Sequence, residues 1–268
     1  MDYSMIALDV DGTLLNDDHE LTEATKRAVR DAHAQGAKIV LCTGRGPANA
    51  IPVLEELGLD GVLITHNGAA TVQVPGGRVL HEYGFEPQQV SGLISYCRER
   101  GIHFDVCTAY EMFAEAIGAT AAAMYGKFML MPHTIPDVLR LGQSIVKFTL
   151  FGTPEEMDKA EQDFARLQPE GLHALRSGDS FIDVMSTAAS KGKAVQQLAE
   201  QWQVPRERIM AIGNYYNDVE MLQYAGLGIA MDNAPEAVKR AADAVTSSNN
   251  EDGVAAAFAK YGLHTPQH

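Results

Sequence analysis

The sequence predicts an α/β protein, a doubly wound parallel sheet interrupted by an inserted α+β domain. Strand-like and helical patterns alternate over residues 5–83, and the same alternation returns from Lys191 onward. The middle third breaks it, with strands suited to antiparallel pairing.

In the first part MIALDV, AKIVLCTG and GVLITHNGA read as strands, and LTEATKRAVRDAHAQG and PANAIPVLEELG as helices. Strands and helices at this spacing form parallel units with right-handed crossovers. The first helix places Leu21, Ala24, Ala28, Val29 and Ala32 on one stripe and closes at Gly36, a residue suited to the left-handed position after a helix, so it should lie on the sheet. A hairpin-like AATVQVPGGRVLHEY follows. The middle third reads as helix PQQVSGLISYCRERG, strand IHFDVCTA, an Ala- and Met-rich stretch, strand IVKFTLFG, helix TPEEMDKAEQDFARLQ, and strands LHALRSG and FIDVMS. The last part reads as helix KGKAVQQLAEQWQ, strand RIMAIGN, helix NDVEMLQYAG, strand LGIAMD, helix APEAVKRAA, strand AVTSS and helix DGVAAAFAKYG. The expected organisation is a discontinuous core of residues 1–83 and 187–268 with an insertion at 84–186, and the final HTPQH is expected to fray.

Composition narrows the function. The 268 residues are 46% hydrophobic with a formal charge of -14, which argues against a nucleic-acid backbone or an anionic membrane as partner. Three cysteines, Cys42, Cys97 and Cys107, lie at scattered positions without metal-ligand spacing and fit reduced thiols. The N-terminus carries acids where a signal peptide is apolar, and no apolar run reaches the ~18 residues of a membrane span. A cytoplasmic monomer or homodimer is the expectation.

The stretch IALDVDGTLL ends a strand with two acids. Alternation along a strand projects Asp9 and Asp11 to one side, at the carboxyl end where open α/β sheets bind ligands. Two unit charges ~4 Å apart repel by about 4 kcal/mol at an effective dielectric near 20, so a divalent cation or a held proton must offset them. Gly12 allows the turn that aims backbone amides at an anion. Thr43 ends the strand KIVLCT, where its hydroxyl either faces the same crevice or bonds the next turn. Lys191 opens a helix, a position unfavourable to a cation unless an anion is near. Asn67 either lines the crevice or simply makes an Asn-Gly turn.

DVDGTLL at 9–15, CTGR at 42–45, SKGKA at 190–194 and GNYYNDVEML at 213–222 together resemble, in order, the signatures of the haloacid dehalogenase-like phosphatases. The resemblance covers essentially the whole chain, and the long insertion between the second and third motifs is similar to that of the Cof-type sugar phosphatases. It implies a Rossmann-like core with a cap domain, Asp9 as nucleophile and Asp11 as general acid and base. Thr43, Lys191 and Asn217 would bind phosphate with amides near Gly12 and Gly44, and Arg45 would guide an anionic substrate or pair with an acid on the cap. Magnesium would be held by Asp9, Asp11 and Asn214, with Asp218 attracting it through water or capping the following helix. The family pattern has aspartate where this chain has Asn214, so the carboxylate count at the metal falls by one. The implied partner is a small phosphorylated metabolite, with the cap as a lid. His103, Tyr110, Met124, Tyr125 and Lys127 are candidates for substrate choice or for the cap's own core.

Three other readings use the same residues. A phosphomutase would return the phosphoryl group to a sugar, a sugar-phosphate sensor or pseudoenzyme is motivated by Asn214, and a receiver-like switch shares the acidic pocket but lacks a long insertion.

Overall fold

A computed structural model of the chain describes residues 3–167 and 169–262; the HTPQH end lies outside the described residues. In chain order the elements begin with β1 (Met5–Asp9), α1 (Glu23–Ala34), β2 (Lys38–Cys42), α2 (Pro47–Glu56), β3 (Gly61–Thr65), β4 (Ala70–Val74) and β5 (Arg78–Glu82). They continue with α3 (Ser91–Arg100), β6 (His103–Cys107), β7 (Met112–Ala114), α4 (Ala119–Lys127), β8 (His133–Thr134), β9 (Lys147–Phe151), α5 (Pro154–Leu167), β10 (Leu172–Gly178) and β11 (Phe181–Ser186). The chain then forms α6 (Lys191–Gln201), β12 (Ile209–Gly213), α7 (Val219–Tyr224), β13 (Leu227–Ala230), α8 (Glu236–Ala241), β14 (Ala244–Val245) and α9 (Gly253–Lys260).

Two compact units result, one running to His81 and resuming at Ser190, the other Glu82–Ala189. The second unit extends past the expected junction at residue 186. Thr187 N–H donates to the Gly171 carbonyl (2.9 Å) and Ala189 N–H to Ser186 (3.0 Å), tying these residues to it.

The first unit holds an eight-stranded sheet in the order β14-β13-β12-β1-β2-β3-β4-β5. Neighbours from β14 to β3 run parallel, and β4 turns back antiparallel on β3. β1 is central and buried along its whole length, as its uninterrupted apolar run requires of a parallel strand covered on both faces. The chain moves outward from β1 to β2 on one side and returns through β12 on the other. The strand order therefore reverses there, the point at which open α/β sheets bind ligands beyond the carboxyl ends. Thr22 caps α1 by accepting the Thr25 N–H (3.2 Å), and Ala28, Val29 and Ala32 are its buried stripe. Gly36 adopts φ +100°, the left-handed turn expected after this helix.

The second unit holds a six-stranded sheet, β10-β11-β9-β6-β7-β8, antiparallel except for β7 and β8. One sheet face is apolar: Phe104, Val106, Phe148, Leu150, Ile182 and Val184 pack with Ile94 and Cys97 of α3 and Met157 and Phe164 of α5. The opposite face carries a cross-strand row, Asp105–Thr149–Asp183. Thr149 donates to Asp183 (2.8 Å), and Lys147 Nζ stands 3.6 Å from the same carboxylate. Tyr125 of α4 donates to Asp105 (2.9 Å) and meets His103 Nε2 at 2.7 Å. His103 and Tyr125 thus belong to a hydrogen-bonded chain inside this unit. Among the described residues no helix is long and apolar enough to cross a membrane.

Burial pushes the Asp105 carboxyl up to about 6, against the opposing pull of Lys147 and the Tyr125 bond. Between pH 4 and 6 an unfolded Asp105 has lost its proton while the folded one retains it. Stability therefore falls as pH rises through that window, by up to about 3 kcal/mol. Urea denaturation at pH 4 and pH 6 should show a smaller loss in Asp105→Asn than in the parent protein.

Candidate active site

Asp9 is the last residue of β1, and it is buried, whereas Asp11 lies two residues past the end of the strand and is about half exposed. The strand ends before Asp11, and the two acids differ in their surroundings. Each has its own cation. Lys191, the first residue of α6, is 1% exposed and lies 2.7 Å from both Asp9 and Asp218. The Arg45 guanidinium grips Asp11 with two bonds, Nε to Oδ2 at 2.9 Å and Nη2 to Oδ1 at 2.6 Å. Arg45, expected on a substrate or on an acid of the insertion, is bound to the second acid of the opening motif.

Burial alone would lower the Lys191 ammonium, but Asp9 and Asp218 overcome this and raise it, so the lysine stays charged. Burial and then the Asp218 charge push Asp9 upward, opposed by Lys191 and by the Thr13 hydroxyl. With both acids ionised, this buried trio holds one excess negative charge.

Asp218 is fully buried, and its oxygens are already engaged. Oδ1 accepts from Lys191, while Oδ2 accepts the N–H groups of Asn214 (2.9 Å) and Tyr215 (3.0 Å). It shapes the loop after β12 and fixes the lysine. Gly213 is required here, since a Cβ on it would stand 2.6 Å from the Asp218 Cβ.

Thr43 is fully buried just past β2, and its hydroxyl oxygen accepts the Arg45 N–H (3.0 Å), leaving its own O–H to donate. Asn217 donates to Asn67 (2.9 Å), which stands in the left-handed region at φ 56° beside Gly44. These bonds bring Thr43, Gly44, Asn67 and Asn217 to the same end of the sheet. Gly12, at φ +75°, leaves the space that the Asn214 amide fills.

Two participants had not been singled out in the sequence. Thr13 donates to Asp9 Oδ2 (2.9 Å) and stands 3.4 Å from Asn214 Oδ1, so one hydroxyl touches an oxygen of each. Asn233 donates to the Gly12 carbonyl (2.8 Å) and holds the turn. Thr13 had a signal, a hydroxyl four residues after Asp9 in a tight turn; Asn233 joins Gly12 only through tertiary structure.

Among the described residues no three His, Cys, Asp or Glu side chains form a metal-binding group. The Asp9 carboxylate and the Asn214 amide oxygen, converging on Thr13, are nevertheless the oxygen donors a hard divalent cation prefers. Burial beside Asp218 disfavours the charged form of Asp9, a pressure that a bound cation would relieve, so the residues present fit one.

The chain is 34% identical to YxeH of Bacillus subtilis (strain 168) over 262 residues, covering 96% of this chain and 97% of that one. It is 28% identical to the 5-amino-6-(5-phospho-D-ribitylamino)uracil phosphatase YwtE of the same organism, over 93% of this chain and 95% of that protein. The structure of BT4131, a sugar phosphatase of subclass IIB, superposes with a TM-score of 0.78 at 25% identity, over 97% of this chain and 99% of that one. Residues 6–258 match the family model for haloacid dehalogenase-like hydrolases, so the chain belongs to that family and is a phosphatase within it.

Proposed function

We propose that the protein hydrolyses small phosphomonoesters, sugar or sugar-alcohol phosphates among them, through an aspartyl-phosphate on Asp9. The observation that carries this reading is the buried Asp9 at the carboxyl end of the central strand, held by Lys191 and Thr13. The sugar phosphatase and ribityl-phosphate phosphatase among its relatives support the substrate class.

Unaided hydrolysis of such esters is so slow that the site must lower the barrier by on the order of 20 kcal/mol, mostly by positioning and charge neutralisation. Asp9 attacks phosphorus, forming the acyl-phosphate bond as the ester P–O bond breaks. Asp11 gives its proton to the leaving oxygen, then takes one from the water that attacks the aspartyl-phosphate, releasing inorganic phosphate and restoring Asp9. Both Asp11 oxygens are on Arg45, so Arg45 must loosen its grip before the carboxyl meets the leaving group. Thr43 and Lys191 bind phosphoryl oxygens with the amides near Gly12 and Gly44, and Asn217 completes that side.

With Asp9 ionised for attack, the buried trio carries surplus negative charge and repels an approaching phosphate dianion. Asp9, the Asp11 carbonyl and the Asn214 side chain would hold magnesium there, and the ion would supply the neutralising charge.

Asp9→Asn should abolish phosphate release from p-nitrophenyl phosphate while circular dichroism stays unchanged; activity retained by this variant would rule Asp9 out. Lys191→Met, which leaves two buried acids without their cation, should lower stability by about 3–5 kcal/mol in urea denaturation. Restoring a carboxylate with Asn214→Asp should tighten magnesium binding by calorimetry and lower the magnesium needed for half-maximal activity. An unchanged affinity in both measurements would remove Asn214 from the donor set.

A further inference from the structure

The loop after β12 reads Asn214-Tyr215-Tyr216-Asn217, and its ends are pinned. The N–H groups of Asn214 and Tyr215 sit on Asp218, the Asn214 side chain fills the space beside Gly12, and Asn217 donates to Asn67. Between these anchors stand two large side chains that join no core: Tyr215 is 55% and Tyr216 57% exposed. No other aromatic side chain among the described residues of the first unit is as exposed. Their rings meet edge to face, with centroids 5.0 Å apart and planes at 75°, so each steadies the other while ring surface remains open.

The placement matters more than the exposure. One tyrosine follows the proposed magnesium donor and the other precedes the proposed phosphate contact, at the carboxyl end of a strand adjacent to β1. An ester with its phosphate near Asp9 extends its organic part away from that polar floor, and the pinned loop offers it aromatic surface. Tyrosine suits this position: it presents apolar area with few rotatable bonds and keeps a wet hydroxyl.

We propose that Tyr215 and Tyr216 form the leaving-group platform of this site and favour phosphomonoesters whose organic part carries a planar aromatic ring. The proposal rests on the phosphatase reading above and names the substrate feature that the site selects. The pair acts on binding, so its contribution falls on KM rather than kcat.

The test compares kcat/KM for p-nitrophenyl phosphate and pyridoxal 5′-phosphate with that for glycerol 1-phosphate, which has no ring. Tyr215→Ala and Tyr216→Ala should each lower the ratio of ring-bearing to ringless ester roughly threefold to tenfold through KM, and Tyr215→Phe and Tyr216→Phe should retain it. Calorimetry with pyridoxal 5′-phosphate and with glycerol 1-phosphate on Asp9→Asn protein should show the same loss of ring preference for each alanine substitution. A ratio that the alanine variants leave unchanged, or a loss shared equally by glycerol 1-phosphate, overturns the platform. If the parent protein cleaves none of the esters but calorimetry still finds a tyrosine-dependent ring preference, the phosphatase reading fails and the platform stands. Cleavage of all three esters without ring preference sustains the phosphatase reading and overturns the platform.

Discussion

The site depends on one buried ammonium shared by two carboxylates. Lys191 lies 2.7 Å from Asp9 at the end of β1 and from Asp218 beyond β12, so one charge joins three segments distant in sequence. Burying any of these ions alone would cost several kcal/mol; together they offset one another only in part, because two acids face one base. With both acids ionised, the remainder is a local negative charge placed where an anionic substrate must arrive. That imbalance links the fold to its chemistry, since the geometry that keeps Asp9 available also makes the crevice receptive to a cation.

The second acid is balanced differently. Asp11 and Arg45 form a bidentate pair, but Asp11 is half exposed, and such pairs contribute only about 0–1 kcal/mol. A carboxyl that must give and then take a proton is better placed in a bond that is easily opened. The two acids of DVD therefore differ in role through their surroundings: one is immobilised in the interior, the other is held loosely at the rim.

Much of this was legible in the sequence, and the physical reasons can be separated. The apolar run of β1 and the stripe of Ala28, Val29 and Ala32 on α1 specify elements through period and burial alone. The order of the four motifs marked Asp9, Thr43, Lys191 and Asn217. Pairing was not legible, because a cation's partner is fixed by the meeting of distant segments: Arg45 found Asp11, and Asp218 found backbone amides as well as Lys191. Alternation alone could not announce that Asp11 stands past the end of the strand and about half exposed, because β1 stops at Asp9. Asn233 was missed for the same reason as the ion pairs, and the short, exposed β8 had no hydrophobic period to declare it.

The register of the central strands bears on how the molecule assembles. β1 pairs with β12 from Met5↔Ile209 onward, so the middle of the main sheet closes only when chain segments roughly two hundred residues apart meet. Glu82–Ala189 accounts for about half of that intervening length and has an apolar core of its own. If it condenses first, the effective loop is about halved, which lowers the entropic cost of closure by only about 0.6 kcal/mol. The long-range encounter still governs the rate, so folding should be slow for a chain of this size, with β1 waiting for its second neighbour until synthesis has passed residue 213.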